Sequence, residues 1–101
     1  MWLEFAMARR KLTGARVLLT GASSGIGWSI ACQLADCKAR LIVTARRKER
    51  LDHLRQLLTA RGAEVDCVVG DLTKPSIREE LVRRVEQLWG GLDVLINNAG
   101  I

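Results

Sequence analysis

From Ala15 onward, short apolar runs alternate with longer segments in which apolar residues recur every three or four positions. Arg16 to Leu19 reads as a buried strand. Ile26, Ile30 and Leu34 then follow at i, i+4 and i+8, the spacing of one helix face. The small residues Ala31 and Cys32 allow that helix to pack closely on a sheet. Arg40 to Thr44, with Leu41-Ile42-Val43 at its centre, is the next strand. Lys48 to Arg61 predicts a helix carrying Leu51, Leu54 and Leu58 on one face, with Gly62 at its stop. Val65 to Val69 is a third strand, closed by Gly70-Asp71. Thr73 as N-cap and Pro75 in the first turn open a third helix, with Ile77, Leu81, Val85 and Leu88 along its stripe and Gly90-Gly91 at its end. Leu92 to Asn97 is the fourth strand.

The order strand–helix–strand three times over predicts an α/β fold with a parallel sheet, because each crossover is long enough for a helix and turns right-handed. Continuously apolar strands fit a sheet covered on both faces. The expected strand order is 3-2-1-4, with a ligand crevice at the carboxyl ends where the order reverses. No repeat, low-complexity tract or internal linker interrupts the pattern.

Composition narrows the possibilities. At 101 residues the chain is one domain at most, and 49% apolar with 27% charged residues suits a globular protein. The net charge of +5 is scattered over Arg9-Arg10-Lys11, Arg46-Arg47-Lys48, Arg50 and Arg83-Arg84. The only aromatics are Trp2, Phe5, Trp28 and Trp89, too few to interleave with basic residues, which argues against a nucleic-acid partner. Cys32, Cys37 and Cys67 have no metal-ligand spacing, and reduced thiols in the cytoplasm are expected. Cys32 and Cys67 read as small core residues, Cys37 as either core or surface. Residues 1–14 read as an N-terminal tail, with Met1 to Ala6 a start-site extension and no apolar stretch of membrane-spanning length. His53 lies off the leucine stripe and reads as a surface residue. Trp28 reads as a shield for a helix face or a contact for a partner, and Trp89 as packing at the end of the third helix.

The candidate chemistry lies at Thr20-Gly21-Ala22-Ser23-Ser24-Gly25-Ile26-Gly27, three glycines in seven residues at the joint of a strand and a helix. Glycine admits backbone angles closed to other residues and lets an anion approach the main chain. The helix starting there directs unpaired N–H groups and its positive dipole end at a phosphate. The same chain carries Asp71 after the third strand and Asn97-Asn98-Ala99-Gly100 after the fourth. Together these motifs resemble the short-chain dehydrogenase/reductase family over residues 15–101, which then form a partial dinucleotide-binding domain, a truncated doubly wound, Rossmann-like fold.

The resemblance implies a role for each position. Gly21 makes the tight turn, Gly25 admits the pyrophosphate and Gly27 brings helix against strand. Ser23 and Ser24 offer hydroxyls and N–H groups to phosphate or ribose, and the Ile26 N–H faces the same anion. Asp71 accepts from the adenine amino group, with Leu72 beside the ring; the alternative for Asp71 is a plain turn residue. Asn98, Ala99 and Gly100 line the ribose, while Asn97 braces the central strand. At the end of the second strand, where an acidic residue would select NAD(H), stand Arg46 and Arg47. A guanidinium pairs with a 2′-phosphate that a carboxylate would repel, so NADP(H) is expected in preference to NAD(H).

Members of the family transfer a hydride between the nicotinamide and a carbonyl or alcohol, using a Ser and a Tyr-x-x-x-Lys pair. This chain contains no tyrosine. It is therefore expected to be the N-terminal half of a longer oxidoreductase, without activity alone; a non-catalytic nucleotide-binding or interaction module is the alternative. The fourth strand, with no charge between Val94 and Ile96, is expected to be an exposed edge prone to self-association.

Overall fold

The computed structural model describes residues 12–23 and 25–98. Its elements are β1 (Arg16–Thr20), α1 (Gly25–Asp36), β2 (Arg40–Ala45), α2 (Lys48–Ala60), β3 (Val65–Val69), α3 (Pro75–Trp89) and β4 (Val94–Asn97). All four strands are parallel, in the order β3-β2-β1-β4. The expected α/β architecture and strand order are the ones observed.

Alternation along the strands divides the core. Val17, Leu19, Leu41, Val43 and Ala45 point to one face, where they meet Ala31, Leu34 and Ala35 of α1 and Leu51, Leu54 and Leu58 of α2. Leu18, Ile42 and Val68 point to the other, against Leu81 and Val85 of α3. Two helices thus cover one face and one helix the other. The leucine stripe of α2 is completely buried.

The apolar stripes of α1 and α3 are shorter than expected. Ile26 is 64% exposed, because the first turn of α1 rises beyond the strand ends and has no sheet beneath it. Leu88 is 52% exposed, and Trp89 packs against the smaller core in its place. Cys37 is the buried cysteine, under the last turn of α1, where its N–H donates to the Gln33 and Leu34 carbonyls. Cys32 and Cys67 are only half-buried, Cys67 because it lies on the edge strand β3. Thr73 does not cap α3: Lys74 holds that position without a side-chain bond, and Pro75 begins the helix as expected. β4 begins at Val94, so Leu92 and Asp93 lie outside it. Residues 12–14, assigned to the tail, are bonded to the α1–β2 corner. The Gly14 N–H donates to the Lys38 carbonyl at 2.8 Å, and the Gly14 carbonyl accepts from Arg40 Nε at 3.0 Å.

At the amino end of the sheet, Arg16 and Asp93 lock β1 to the entry of β4. Asp93 Oδ2 accepts from the Arg16 backbone N–H at 2.8 Å and from Nε at 3.0 Å, while Oδ1 accepts from Nη2 at 2.9 Å. These bonds pull the Asp93 carboxyl down to about 2. An unfolded Asp titrates near ~3.9, so this stabilisation is fully present above that pH and is lost as pH falls through the folded value. Denaturant titrations across that window are expected to show Asp93→Asn less stable than wild type at neutral pH, with a shallower loss on acidification.

Candidate cofactor site

The carboxyl ends of the strands open into one groove of about 960 Å³. Gly21 and Ser23 of the β1–α1 turn line it, with Gly25 and Ile26 at the start of α1. Arg46 and Arg47 enter from the end of β2, Asp71 and Leu72 from the end of β3, and Asn98 from the end of β4. Nine residues singled out in the sequence thus converge from four connections. Gly27 lies beneath the turn; Ser24, Ala99 and Gly100 lie outside the described residues.

The turn is shaped by its glycines. Gly21 has φ +68°, in the left-handed region that side chains resist. Gly27 is fixed by space: a methyl group there would stand 2.0 Å from the Gly21 carbonyl oxygen and 2.6 Å from Asn98 Nδ2. Its close approach is to the turn and the β4 end, more specific than the helix-on-strand contact expected. Asn98 Nδ2 donates to the same Gly21 carbonyl at 3.1 Å, and the Asn98 N–H donates to Thr20 Oγ1 at 3.0 Å. Thr20 Oγ1 in turn donates to Asn97 Oδ1 at 2.8 Å, so Asn97 braces β1.

The β3–α3 connection is similarly fixed. Asp71 Oδ1 accepts from the Thr73 N–H at 2.9 Å and hydroxyl at 2.8 Å. Those two bonds hold the carboxyl below the usual range, and the nearby Arg46 and Lys74 charges act in the same direction. Asp71 is thus a charged turn residue as well as a groove residue. Arg78, which nothing in the linear pattern marked, lines the groove and donates to the Leu72 carbonyl at 2.7 Å. Thr44 was also missed. Its hydroxyl is fully buried among the groove-lining residues and has no hydrogen-bond partner among the described residues. Leu81, Val82 and Leu95 complete an apolar wall on the α3 side.

No carboxylate stands at the end of β2, where Arg46 and Arg47 are both exposed. Among the described residues, no group of three His, Cys, Asp or Glu is placed to hold a metal, and no helix is long and apolar enough to cross a membrane. His53 is exposed and stands edge-on to Trp28, ring centroids 5.6 Å apart. Trp28 is partly buried against the larger core, and Trp89 against the smaller.

A family model described as short chain dehydrogenase matches residues 15–101. The chain belongs to the short chain dehydrogenase family. It is 43% identical over 95 residues to a fatty acyl-CoA reductase of Mycobacterium tuberculosis, covering 94% of this chain and 32% of the relative. A gluconate 5-dehydrogenase of Gluconobacter oxydans is 40% identical over 90 residues, covering 89% and 35% of the two chains. Among solved structures, the L-sorbose reductase of Gluconobacter frateurii complexed with NADPH and L-sorbose superposes with TM-score 0.84 at 35% identity, covering 89% of this chain and 35% of that one. A short chain dehydrogenase of Burkholderia cenocepacia in complex with NADP gives 0.81 at 38% identity, covering 89% and 37%. The chain spans about a third of the length of these relatives and structural neighbours.

Because the nearest neighbour of Gly27 is the Gly21 backbone carbonyl, moving the Asn98 side chain alone makes no room for the added methyl of Gly27→Ala. The substitution is expected to cost about 1–3 kcal/mol of stability, as overpacking does. Urea denaturation of the two proteins measures it.

Proposed function

We propose that residues 15–101 form the partial dinucleotide-binding domain of an NADP(H)-dependent oxidoreductase and hold the adenosine half of the cofactor. One observation carries this reading: the glycine turn, Asp71 and two arginines share a groove whose β2 corner has no acidic residue. The groove also fits the ligand chemically. The first N–H groups of a helix have no acceptor within it, and those of α1 lie at the groove with Gly25 and Ile26. The buried Thr44 hydroxyl adds an unsatisfied polar group.

On this reading Gly21, Ser23, Ser24, Gly25, Ile26 and Gly27 form and face the pyrophosphate turn. Arg46 and Arg47 bind the 2′-phosphate, and Arg46 stacks on adenine. Asp71 Oδ1 is taken up by Thr73, so Oδ2 is the atom left for the adenine amino group. Leu72 flanks the ring, on a carbonyl steadied by Arg78. Asn98, Ala99 and Gly100 border the ribose. Bound NADP(H) would supply or accept the hydride exchanged with a carbonyl or alcohol in the longer protein. The chain itself, having no tyrosine, binds without turnover. Its compartment on this reading is the cytoplasm. The NADPH and NADP complexes of the structural neighbours support the cofactor.

The test is a fluorescence titration of both nicotinamide dinucleotides. Replacing Arg46 and Arg47 by Ala is expected to raise the NADPH Kd about tenfold or more, leaving NADH within about twofold. Unchanged NADPH affinity overturns the assignment.

Self-association is proposed through β4. Among the described residues it pairs only with β1, and Leu95 is 59% exposed on the thinly covered face, where the equally exposed Val82 lines the same groove. Sedimentation should show mass rising with concentration, and Leu95→Lys should restore the monomer.

A further inference from the structure

A single peptide plane, joining Leu72 to Thr73, lies at the centre of the turn that carries Asp71. The Lys74 N–H donates to the Asp71 carbonyl at 2.9 Å, closing a four-residue turn around that peptide. Turns of this length have two common forms, which differ by a rotation of about 180° in the central peptide. Here both ends of the plane are tied. Its N–H, on Thr73, donates to Asp71 Oδ1 at 2.9 Å, and its carbonyl, on Leu72, accepts from Arg78 Nη1 at 2.7 Å. Turning the peptide over breaks both bonds at once. Asp71 Oδ1 then keeps only the Thr73 hydroxyl, a group free to rotate.

Arg78 reaches this carbonyl from the first turn of α3. Pro75 begins the helix, and the Arg78 N–H donates to the Lys74 carbonyl at 3.4 Å. Helical side chains lean toward the N-terminus, which carries the guanidinium back over the turn. A cation in that place opposes the helix dipole, and α3 has no acid in its first turn to offset it. The acceptor it meets is the Leu72 carbonyl. The charges that help to hold the Asp71 carboxyl down belong to Arg46 and Lys74, so Arg78 acts on the turn through its hydrogen bond. The entry to the turn is pinned separately, by the Gly70 N–H donating to the Ala45 carbonyl at 2.9 Å. What Arg78 sets is the orientation of the middle.

We infer that Arg78 is a positioning residue for base selection: its bond to the Leu72 carbonyl fixes the central peptide and, through the Thr73 N–H, the direction in which Asp71 Oδ2 faces the groove. This rests on the reading of the groove as an NADP(H) site, with Oδ2 accepting from the adenine amino group. A carboxylate held in one direction favours a base edge that offers an N–H and repels one that offers a carbonyl. Adenine has an amino group at its 6-position. Hypoxanthine, a purine of the same size, has a carbonyl there.

Two measurements test the inference, the first without any ligand. Amide hydrogen exchange of Thr73 reads the clamp, and Arg78→Ala is expected to speed it about tenfold. Arg78 is exposed, so an unchanged melting temperature is the control for folding. Calorimetric titration with 5′-AMP and 5′-IMP reads the selection. These nucleotides carry the same phosphate, so loss of a charge alone weakens both alike. Arg78→Ala is expected to weaken AMP about fivefold and to leave IMP within about twofold. Arg78→Lys, which can still donate to the carbonyl, should recover part of both effects. Unchanged Thr73 exchange in Arg78→Ala overturns the inference and leaves the groove reading standing. Faster exchange with an unaltered AMP-to-IMP ratio, or equal weakening of the two nucleotides, also overturns it. If the wild-type chain does not prefer AMP, the adenine role of Asp71 fails, and this inference with it.

Discussion

Three segments meet at the carbonyl of Gly21, and most of the geometry described above depends on that meeting. Gly27 approaches so closely that any side chain would collide with it. Asn98 donates to it from the end of β4. Thr20, one residue earlier, binds Asn97 and Asn98 at the same level. The orientation of α1, the shape of the glycine turn and the register of β4 on β1 are therefore one constraint. Loosening any of them moves the N-terminal N–H groups of α1 away from the groove.

The sheet beneath is built unequally, and the inequality has consequences for the site. On the α1–α2 face, small residues on α1 and a full leucine stripe on α2 bury the strands well. On the other face α3 alone supplies Leu81 and Val85. Leu95 and Val82 stay exposed at its margin and become part of the groove wall. The glycine turn and the arginines thus stand on the firmer side, while the apolar wall opposite is incomplete within these residues. Pocket shape on the α3 side depends on what covers Leu95; on the α1–α2 side it does not.

Strand positions and helix order were legible because strands buried on two faces must be continuously apolar, and because each crossover has the length of a helix. The α2 stripe was legible for the same reason: Leu51, Leu54 and Leu58 all lie over the sheet. Periodicity misled only where a helix outruns the sheet, as at Ile26 and Leu88. It cannot see that a helix end lies beyond its support. Cys67, read as a core residue, is only half-buried because hydrophobic pattern does not distinguish an edge strand such as β3 from a central one. The site was legible at nine residues since glycine turns, strand-end acids and a missing carboxylate are local signals. Arg78 and Thr44 left no such signal: one acts on a carbonyl six residues away in sequence, and the other is marked only by a hydrogen bond it does not make. Lys38 is a further case, with φ +65° after α1, where glycine would have announced the helix end.

The distribution of charge follows the same division between the ends of the sheet. At the amino ends, Arg16 is held by Asp93 and by the Trp89 carbonyl, and Arg40 stands 5.9 Å over the Trp89 ring, whose Nε1 donates to Glu64. Along α3, Arg84 lies between Asp66 and Glu80, and Arg83 also pairs with Glu80. Cations in these places have acceptors, and their charge is spent within the fold. At the carboxyl ends, Arg46, Arg47 and Arg50 make no side-chain hydrogen bond or ion pair among the described residues, and the Arg46 charge helps to hold the Asp71 carboxyl down. The charge of the chain looks scattered along the sequence, but among the described residues three cations without an acceptor stand together at the β2–α2 corner, Arg46, Arg47 and Arg50. That concentration opposes the dipole of α2 and gives no internal stabilisation. A bound anion supplies the reason for it, and the glycine turn beside it is where such an anion can come closest to the backbone.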